Sequence, residues 1–177
     1  YDNLLKSIHL ITNTKGLSMS PKRITVSTVG IAKMIRKLAD DNIKFNLAIS
    51  LHTANDYKRT ELMSINESIP LLDLKDAIKY FYDKTEVRVT YEYILFKNIN
   101  DSLEDARELM KFCKITPCKI NLIEYNTVEN LPFEKSTNRR TEEFINFLAE
   151  KKIIVNLRKS KGKDINAACG QLVNKVK

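Results

Sequence analysis

The sequence predicts an α/β fold built on a parallel sheet, and three features carry that expectation. Short β-branched runs alternate with helix-length amphipathic segments along the chain. A helix between successive strands makes each connection a crossover, which joins parallel rather than antiparallel neighbours. The strand runs are largely apolar, as in Leu47-Ala48-Ile49 and Ile120-Asn121-Leu122-Ile123, the pattern of strands covered on both faces.

The elements follow in order. Residues 2–14 read as a helix with Leu4, Leu5, Ile8 and Ile11 on one stripe, closed by Lys15-Gly16 with the glycine left-handed. Residues 23–28 form the first strand, 31–41 a short helix and 45–51 the second strand. Between Asn55 and Ser68 the pattern suggests a helical turn and a loop. Pro70 opens a helix over 71–82, with Asp73 and Asp76 near its positive end. A third strand covers 87–95. Ser102 and Asp105 form a capping-box variant ahead of a helix to Phe112. A strand over 119–125, a helix over 141–151, a fifth strand over 153–158 and a final helix over 165–173 complete the reading. No repeat or linker divides the chain, so residues 1–177 are expected to form one domain.

Composition narrows the function classes. Of 177 residues, 43% are hydrophobic and 29% charged, a globular balance. No apolar run approaches the roughly 18 residues of a membrane span, and no secretory signal is present, so a cytoplasmic location without a membrane partner is expected. Three cysteines, an odd number, argue against a disulfide framework. The net charge of +8 favours a polyanionic partner through phosphate contacts. The run Lys159-Ser-Lys-Gly-Lys163 reads first as a solvated turn. Tyr1 opens the chain and the first methionine is Met19, so an excised piece of a longer protein is expected.

In parallel α/β folds, ligands bind at the carboxyl ends of the strands. The residues there are Ser27 and Thr28 before Gly30, then Ser50 and His52 flanking the apolar Leu51, Glu92, Glu124 to Asn126, and Arg158. Hydroxyls, an imidazole, a carboxamide and carboxylates on one rim suit a ligand bearing ribose hydroxyls, an amine and a carboxylate; polar residues also occur at strand ends simply because water reaches them. Glycine-rich phosphate loops are missing, and His9 and His52 are too few for a catalytic zinc site. Cys113 and Cys118 read as small buried hydrophobes. Cys169, between Ala168 and Gly170, is either a packed small residue or an approachable thiol favoured by Arg158, Lys161 or Lys163.

Four segments, taken together, resemble one family: 22–30 (KRITVSTVG), 47–52 (LAISLH), 116–123 (TPCKINLI) and 164–172 (DINAACGQL). They are similar to the radical-SAM RNA methyltransferases of the RlmN/Cfr family, over essentially the whole chain and in the same order. The cysteine motif is the most specific element and Ser-Leu-His the next. The resemblance implies a partial (β/α) barrel of radical-SAM type, about the last four or five strands of a six-stranded barrel. It implies S-adenosylmethionine (SAM) and a 4Fe-4S cluster as cofactors, an electron donor for the cluster, and 23S rRNA and tRNA as partners. By motif match, Ser27, Ser50, Leu51, His52 and Asn126 fall on SAM-contacting positions, and Cys169 on the cysteine that becomes S-methylated.

The implied chemistry is nucleophilic first and radical second. One SAM methylates Cys169; a radical generated from a second SAM activates that methyl group, which is delivered to carbon 2 of an adenosine. Departures from the family pattern are definite. The CxxxCxxC loop, the Gly-Glu segment that binds the SAM amino group and the resolving cysteine are absent, and in the family they lie upstream of the position matching Tyr1. Lys163 and Asn166 stand where the family often has aspartates. The chain alone is therefore expected to be inactive, and its open barrel edge to pair between copies. Two other readings are a radical-SAM activase acting on a protein glycine, which needs no cysteine at 169, and a non-catalytic RNA-binding module using Lys22, Arg23, Arg139, Arg140, Arg158, Lys159 and Lys161.

Overall fold

The protein is represented by a computed structural model that describes residues 1–128 and 131–159; Cys169 and the helix expected over 165–173 lie outside the described residues. Five strands form one sheet: β1 (Thr25–Thr28), β2 (Asn46–Ser50), β3 (Val89–Leu95), β4 (Cys118–Glu124) and β5 (Val155–Arg158). Every pairing is parallel and the spatial order is β1-β2-β3-β4-β5, so each connection steps to the adjacent strand. Sequential parallel stepping is how a β/α barrel is wound, and among the described residues β1 and β5 are edges. The result is an open arc, in keeping with a partial barrel.

The helices are α1 (Asp2–Thr12), α2 (Ala32–Asp40), α3 (Asp56–Leu62), α4 (Ile65–Ser68), α5 (Leu71–Thr85), α6 (Leu103–Cys113) and α7 (Asn138–Glu150). Alternate strand residues Leu47, Ile49, Tyr91, Tyr93, Ile120 and Leu122 are fully buried in one core with Ile35, Leu74, Ile78, Phe81, Leu109, Phe112, Phe144 and Leu148 of α2, α5, α6 and α7. The expectation of strands covered on both faces holds for Leu47-Ala48-Ile49, all of them buried, and fails for β4. There Ile120 and Leu122 are buried while Asn121 and Ile123 are half-exposed, because their side chains leave the opposite, concave face of the sheet. Among the described residues no helix is long and apolar enough to cross a membrane.

Three local readings change. Gly16 is not left-handed: α1 ends at Asn13 in extended geometry, where the Asn13 side-chain oxygen accepts the Lys15 N–H at 2.8 Å. Glycine serves there by close approach, since a Cβ on Gly16 would lie 2.5 Å from the Leu10 carbonyl oxygen. The stretch after Asn55 is two short helices rather than a turn and a loop, with the Asn55 side chain accepting the Lys58 N–H at 3.1 Å as N-cap. Helix α7 begins a turn earlier than expected, capped by Thr137; its polar first turn, Asn138-Arg139-Arg140, carries no apolar periodicity to reveal it. The capping box of α6 is present in full, Ser102 and Asp105 each accepting from the other's backbone N–H.

Candidate functional site

The strand register lays a polar row across the concave face. Ser50 of β2 is opposite Glu92 of β3, Glu92 opposite Asn121 of β4, and Asn121 opposite Asn156 of β5. The Asn121 amide donates to Glu92 Oε1 at 2.8 Å. Among the described residues, Glu92 Oε2 is buried and accepts no hydrogen bond, and the buried Tyr125 hydroxyl likewise finds no partner there. An acceptor taken out of water without a donor costs about 1–3 kcal/mol, so a carboxylate oxygen held this way has unused capacity for a donor. Ser27, opposite Ala48, is exposed on the same face, and Ser50 is half-exposed. Asn126 is buried two residues beyond β4, next to the aromatic cluster of Phe96, Tyr125 and Phe133, whose ring centroids lie 4.7–6.1 Å apart.

His52 closes the β2 end by an unusual substitution for sheet pairing. The N–H groups of Leu51 and His52 both donate to the Glu92 carbonyl, at 3.0 and 3.2 Å, and the chain then turns with His52 left-handed at φ 57°. That turn takes the His52 carbonyl out of the ladder, and its imidazole replaces it: Nδ1 accepts the Ile94 N–H at 3.2 Å. The displaced carbonyl accepts from the Asn100 amide at 2.6 Å, and the same amide nitrogen donates to the Ile94 carbonyl at 2.8 Å. Because Nδ1 is an acceptor, the proton of neutral His52 resides on Nε2. Burial, reinforced by the positive charge of Arg59, pushes the imidazole pKa down to about 4. His52 is thus a neutral hydrogen-bond donor at physiological pH rather than a base or a cation. Leu51 has its side chain in the core, and its carbonyl accepts from Thr53 N–H at 2.7 Å.

No family model matches the chain. A probable dual-specificity RNA methyltransferase RlmN of Christiangramia forsetii is 52% identical over 175 residues, which is 99% of this chain and 50% of the relative. The RlmN of Flavobacterium psychrophilum, again named a probable dual-specificity RNA methyltransferase, is 50% identical over the same shares. Over the stretch it spans, the chain is similar to RNA methyltransferases of the RlmN type. The chain spans about half the length of the curated relatives it matches. The fold agrees with that likeness: a radical SAM methyltransferase from Sphaerobacter thermophilus superimposes with a TM-score of 0.92 at 34% identity, over 97% of this chain and 50% of that one. A domain of a pyruvate-formate lyase-activating enzyme from Bacteroides vulgatus, at TM-score 0.61 and 13% identity, shares the fold alone.

The RlmN motif positions therefore have a location. Ser27, Ser50 and His52 lie at the carboxyl ends of the adjacent strands β1 and β2, and Asn126 lies past the same end of β4, two strands further along the rim, while Leu51 contributes packing beneath it. The donor set fits a nucleoside-bearing ligand such as SAM: serine hydroxyls, a neutral imidazole N–H, a carboxamide, and a buried carboxylate oxygen awaiting a donor. An iron–sulfur cluster does not fit the described residues, among which no group of three or more His, Cys, Asp or Glu could hold a metal. Cys113 and Cys118 do not supply one. The Cys113 thiol is pushed well up by its hydrogen bond with Cys118 and by burial, and Cys118 Sγ also donates to the Cys113 carbonyl at 3.7 Å. Arg158 and Lys159, offered above as phosphate contacts, are exposed beside the rim on and after β5.

Sequence reasoning passed over the residues that hold this rim in place. Arg59, Asn66, Asn100 and Asp101 are buried polar side chains in connections, where composition predicts only solvated loops. Asp101, 3% exposed, accepts from Ser136 Oγ at 2.7 Å, from Arg140 Nη1 at 2.9 Å and from the Asn98 N–H at 3.0 Å. It thereby joins the loop after β3 to the start of α7. A polar residue with no helical stripe and no obvious cap role was the available signal, and nothing in a single sequence separates it from surface polarity.

Proposed function

We propose that this chain is the SAM-binding and methyl-carrying part of a radical-SAM RNA methyltransferase that modifies carbon 2 of adenosine in 23S rRNA and tRNA. The observation that carries the reading is the convergence of Ser27, Ser50, His52 and Asn126 on one rim, in a chain 52% identical to a protein named for dual-specificity RNA methylation. The rim residues bind and orient the nucleoside, and His52 does so without adding a positive charge at pH 7. Glu92 Oε2 takes a donor of the bound SAM, and its burial excludes water from that contact. Cys169 is the methyl carrier: its thiolate attacks the methyl carbon of the SAM sulfonium, the S–CH3 bond to Cys169 forms, and the sulfonium C–S bond breaks with its electron pair returning to sulfur.

A 4Fe-4S cluster supplies the radical chemistry when bound to the complete protein, with an external electron donor, and the described residues provide no ligands for it. The chain by itself is accordingly inactive as a methyltransferase. The net charge of +8 suits an RNA partner. The test is nucleoside mass spectrometry of RNA from cells lacking the gene, complemented with the full-length wild type or with Cys169→Ala. The wild type restores 2-methyladenosine and the variant does not. Restoration by Cys169→Ala, or no restoration by wild type, overturns the reading.

A further inference from the structure

The hydrogen-bonded register of β1 and β2 ends at the pair Thr28 and Ile49. Beyond that pair the two strands diverge into their loops, yet the residues placed on the SAM rim, Ser27 on one side and Ser50 to His52 on the other, straddle this point. A single side chain spans the gap. Arg59, from α3, is fully buried; its Nη2 donates to the Val29 carbonyl at 2.9 Å and its Nε to the Leu51 carbonyl at 3.4 Å. Its Nη1 donates to Asn66 Oδ1 at 2.7 Å.

The seat for this guanidinium is built on every side. Asn66 is itself held, its amide donating to the Asp56 carbonyl, to Asp56 Oδ1 and to Thr60 Oγ1 at 2.9–3.1 Å. Gly30 has φ +101°, and a Cβ there would stand 3.1 Å from Leu74 Cδ1 and 3.4 Å from Arg59 Nη2. No salt bridge to Arg59 occurs among the described residues, so the charge is spent on neutral carbonyls at the ends of two strands rather than on a carboxylate. Desolvation accordingly lowers its pKa, with Asp56 opposing. A fully buried arginine is costly to keep when packing alone is needed, since an apolar residue of similar volume serves as well. A planar fork with donors fixed in direction is suited to setting a distance between two acceptors.

We infer that Arg59 is a positioning residue for SAM binding: its guanidinium, bonded to the carbonyls of Val29 and Leu51, sets the spacing of the β1 and β2 ends and so the alignment of Ser27 with Ser50 and His52. The inference rests on the SAM-binding reading of the rim. Lysine keeps the charge but cannot reach both carbonyls in fixed directions; glutamine keeps a short fork without charge. Loss of affinity in Arg59→Lys, at constant charge, therefore separates geometry from charge, while the glutamine amide is too short to span both carbonyls and lacks the charge as well.

The test is isothermal titration of SAM into the full-length protein with its cluster reconstituted, well below each variant's unliganded melting temperature. Arg59→Lys and Arg59→Gln are expected to raise the SAM Kd at least tenfold. The core variant Leu148→Ala, far from the rim on α7, is expected to melt lower yet bind SAM within twofold of wild type. If either Arg59 variant binds as wild type does, or Leu148→Ala weakens binding equally, the inference is overturned. Should the Arg59 variants not fold, Asn66→Ala leaves the Arg59 bonds to Val29 and Leu51 in place but removes its third bond together with the Asn66 bonds to Asp56 and Thr60 that seat it; it is expected to weaken SAM several-fold, and unchanged affinity overturns the inference. A wild-type protein that binds no SAM refutes the proposed function instead.

Discussion

Replacing Asn100 with alanine tests the scaffold of the rim most sharply. Asn100 is fully buried and its amide makes three hydrogen bonds: to the carbonyls of His52 and Ile94 at 2.6 and 2.8 Å, and from the Phe96 N–H at 2.7 Å. Each such bond contributes about 1 kcal/mol net, and backbone groups left buried without partners add to the loss. A cost of about 3–5 kcal/mol follows, a large fraction of the roughly 5–15 kcal/mol by which domains are stable. At a urea slope of about 2 kcal/mol per M, the midpoint falls by about 2 M. Circular dichroism of the full-length protein is the suitable probe, because this chain has no tryptophan. Asn100→Asp retains the acceptor for Phe96 but points a carboxylate at two carbonyls. It should be worse than alanine at neutral pH and recover partly in acid, where the aspartate protonates and regains one donor. A midpoint change equivalent to less than about 1 kcal/mol for Asn100→Ala, the size of a surface substitution, refutes the claim that this amide holds His52 and Ile94 together.

Two further outcomes follow from the same site. His52 has its folded pKa lowered from 6.5 to about 4, so folding favours its neutral form; the stability this contributes is complete above pH 6.5 and is lost as pH falls toward 4. Urea midpoints measured across that window should decline with acid, and a His52→Asn variant should show a shallower decline; equal slopes would contradict the buried, hydrogen-bonded imidazole. Glu92→Gln keeps the acceptor for Asn121 while replacing the unpartnered Oε2 by a donor, so unliganded stability should hold or rise by about 1 kcal/mol and SAM affinity should drop about tenfold, or 1.4 kcal/mol. Loss of stability with unchanged affinity would make Glu92 a structural residue only.

The strands were legible because their signal is local. Runs such as Leu47-Ala48-Ile49 and Tyr91-Glu92-Tyr93-Ile94 have strand character without help from distant residues, and their alternation with helices dictates parallel pairing. The rim was legible for a related reason: the ends of parallel strands lie at one end of the sheet whatever the details, so Ser27, Ser50, His52 and Asn126 had to fall at that end. What could not be read was the support. That Arg59 bridges Val29 to Leu51, 30 and 8 residues away in the chain, depends on where α3 lies against the sheet, which no local pattern encodes. His52 presents the same difficulty at closer range. The resemblance implies a ligand contact there, yet only the left-handed turn reveals that Nδ1 is already occupied by the Ile94 N–H and that Nε2 is the atom left to donate. The one-sided burial of β4 was also hidden, because Ile123 is as apolar as Ile120 and only the helical layer distinguishes their faces.

The central claim is that the carboxyl rim of this sheet is where SAM binds, and a crystal structure of the full-length protein with SAM tests it most directly. The account predicts SAM in contact with Ser27, Ser50, His52 and Asn126, with a donor of the ligand on Glu92 Oε2. SAM bound away from these residues, or seated over them with His52 Nδ1 rather than Nε2 turned toward the ligand, would contradict it.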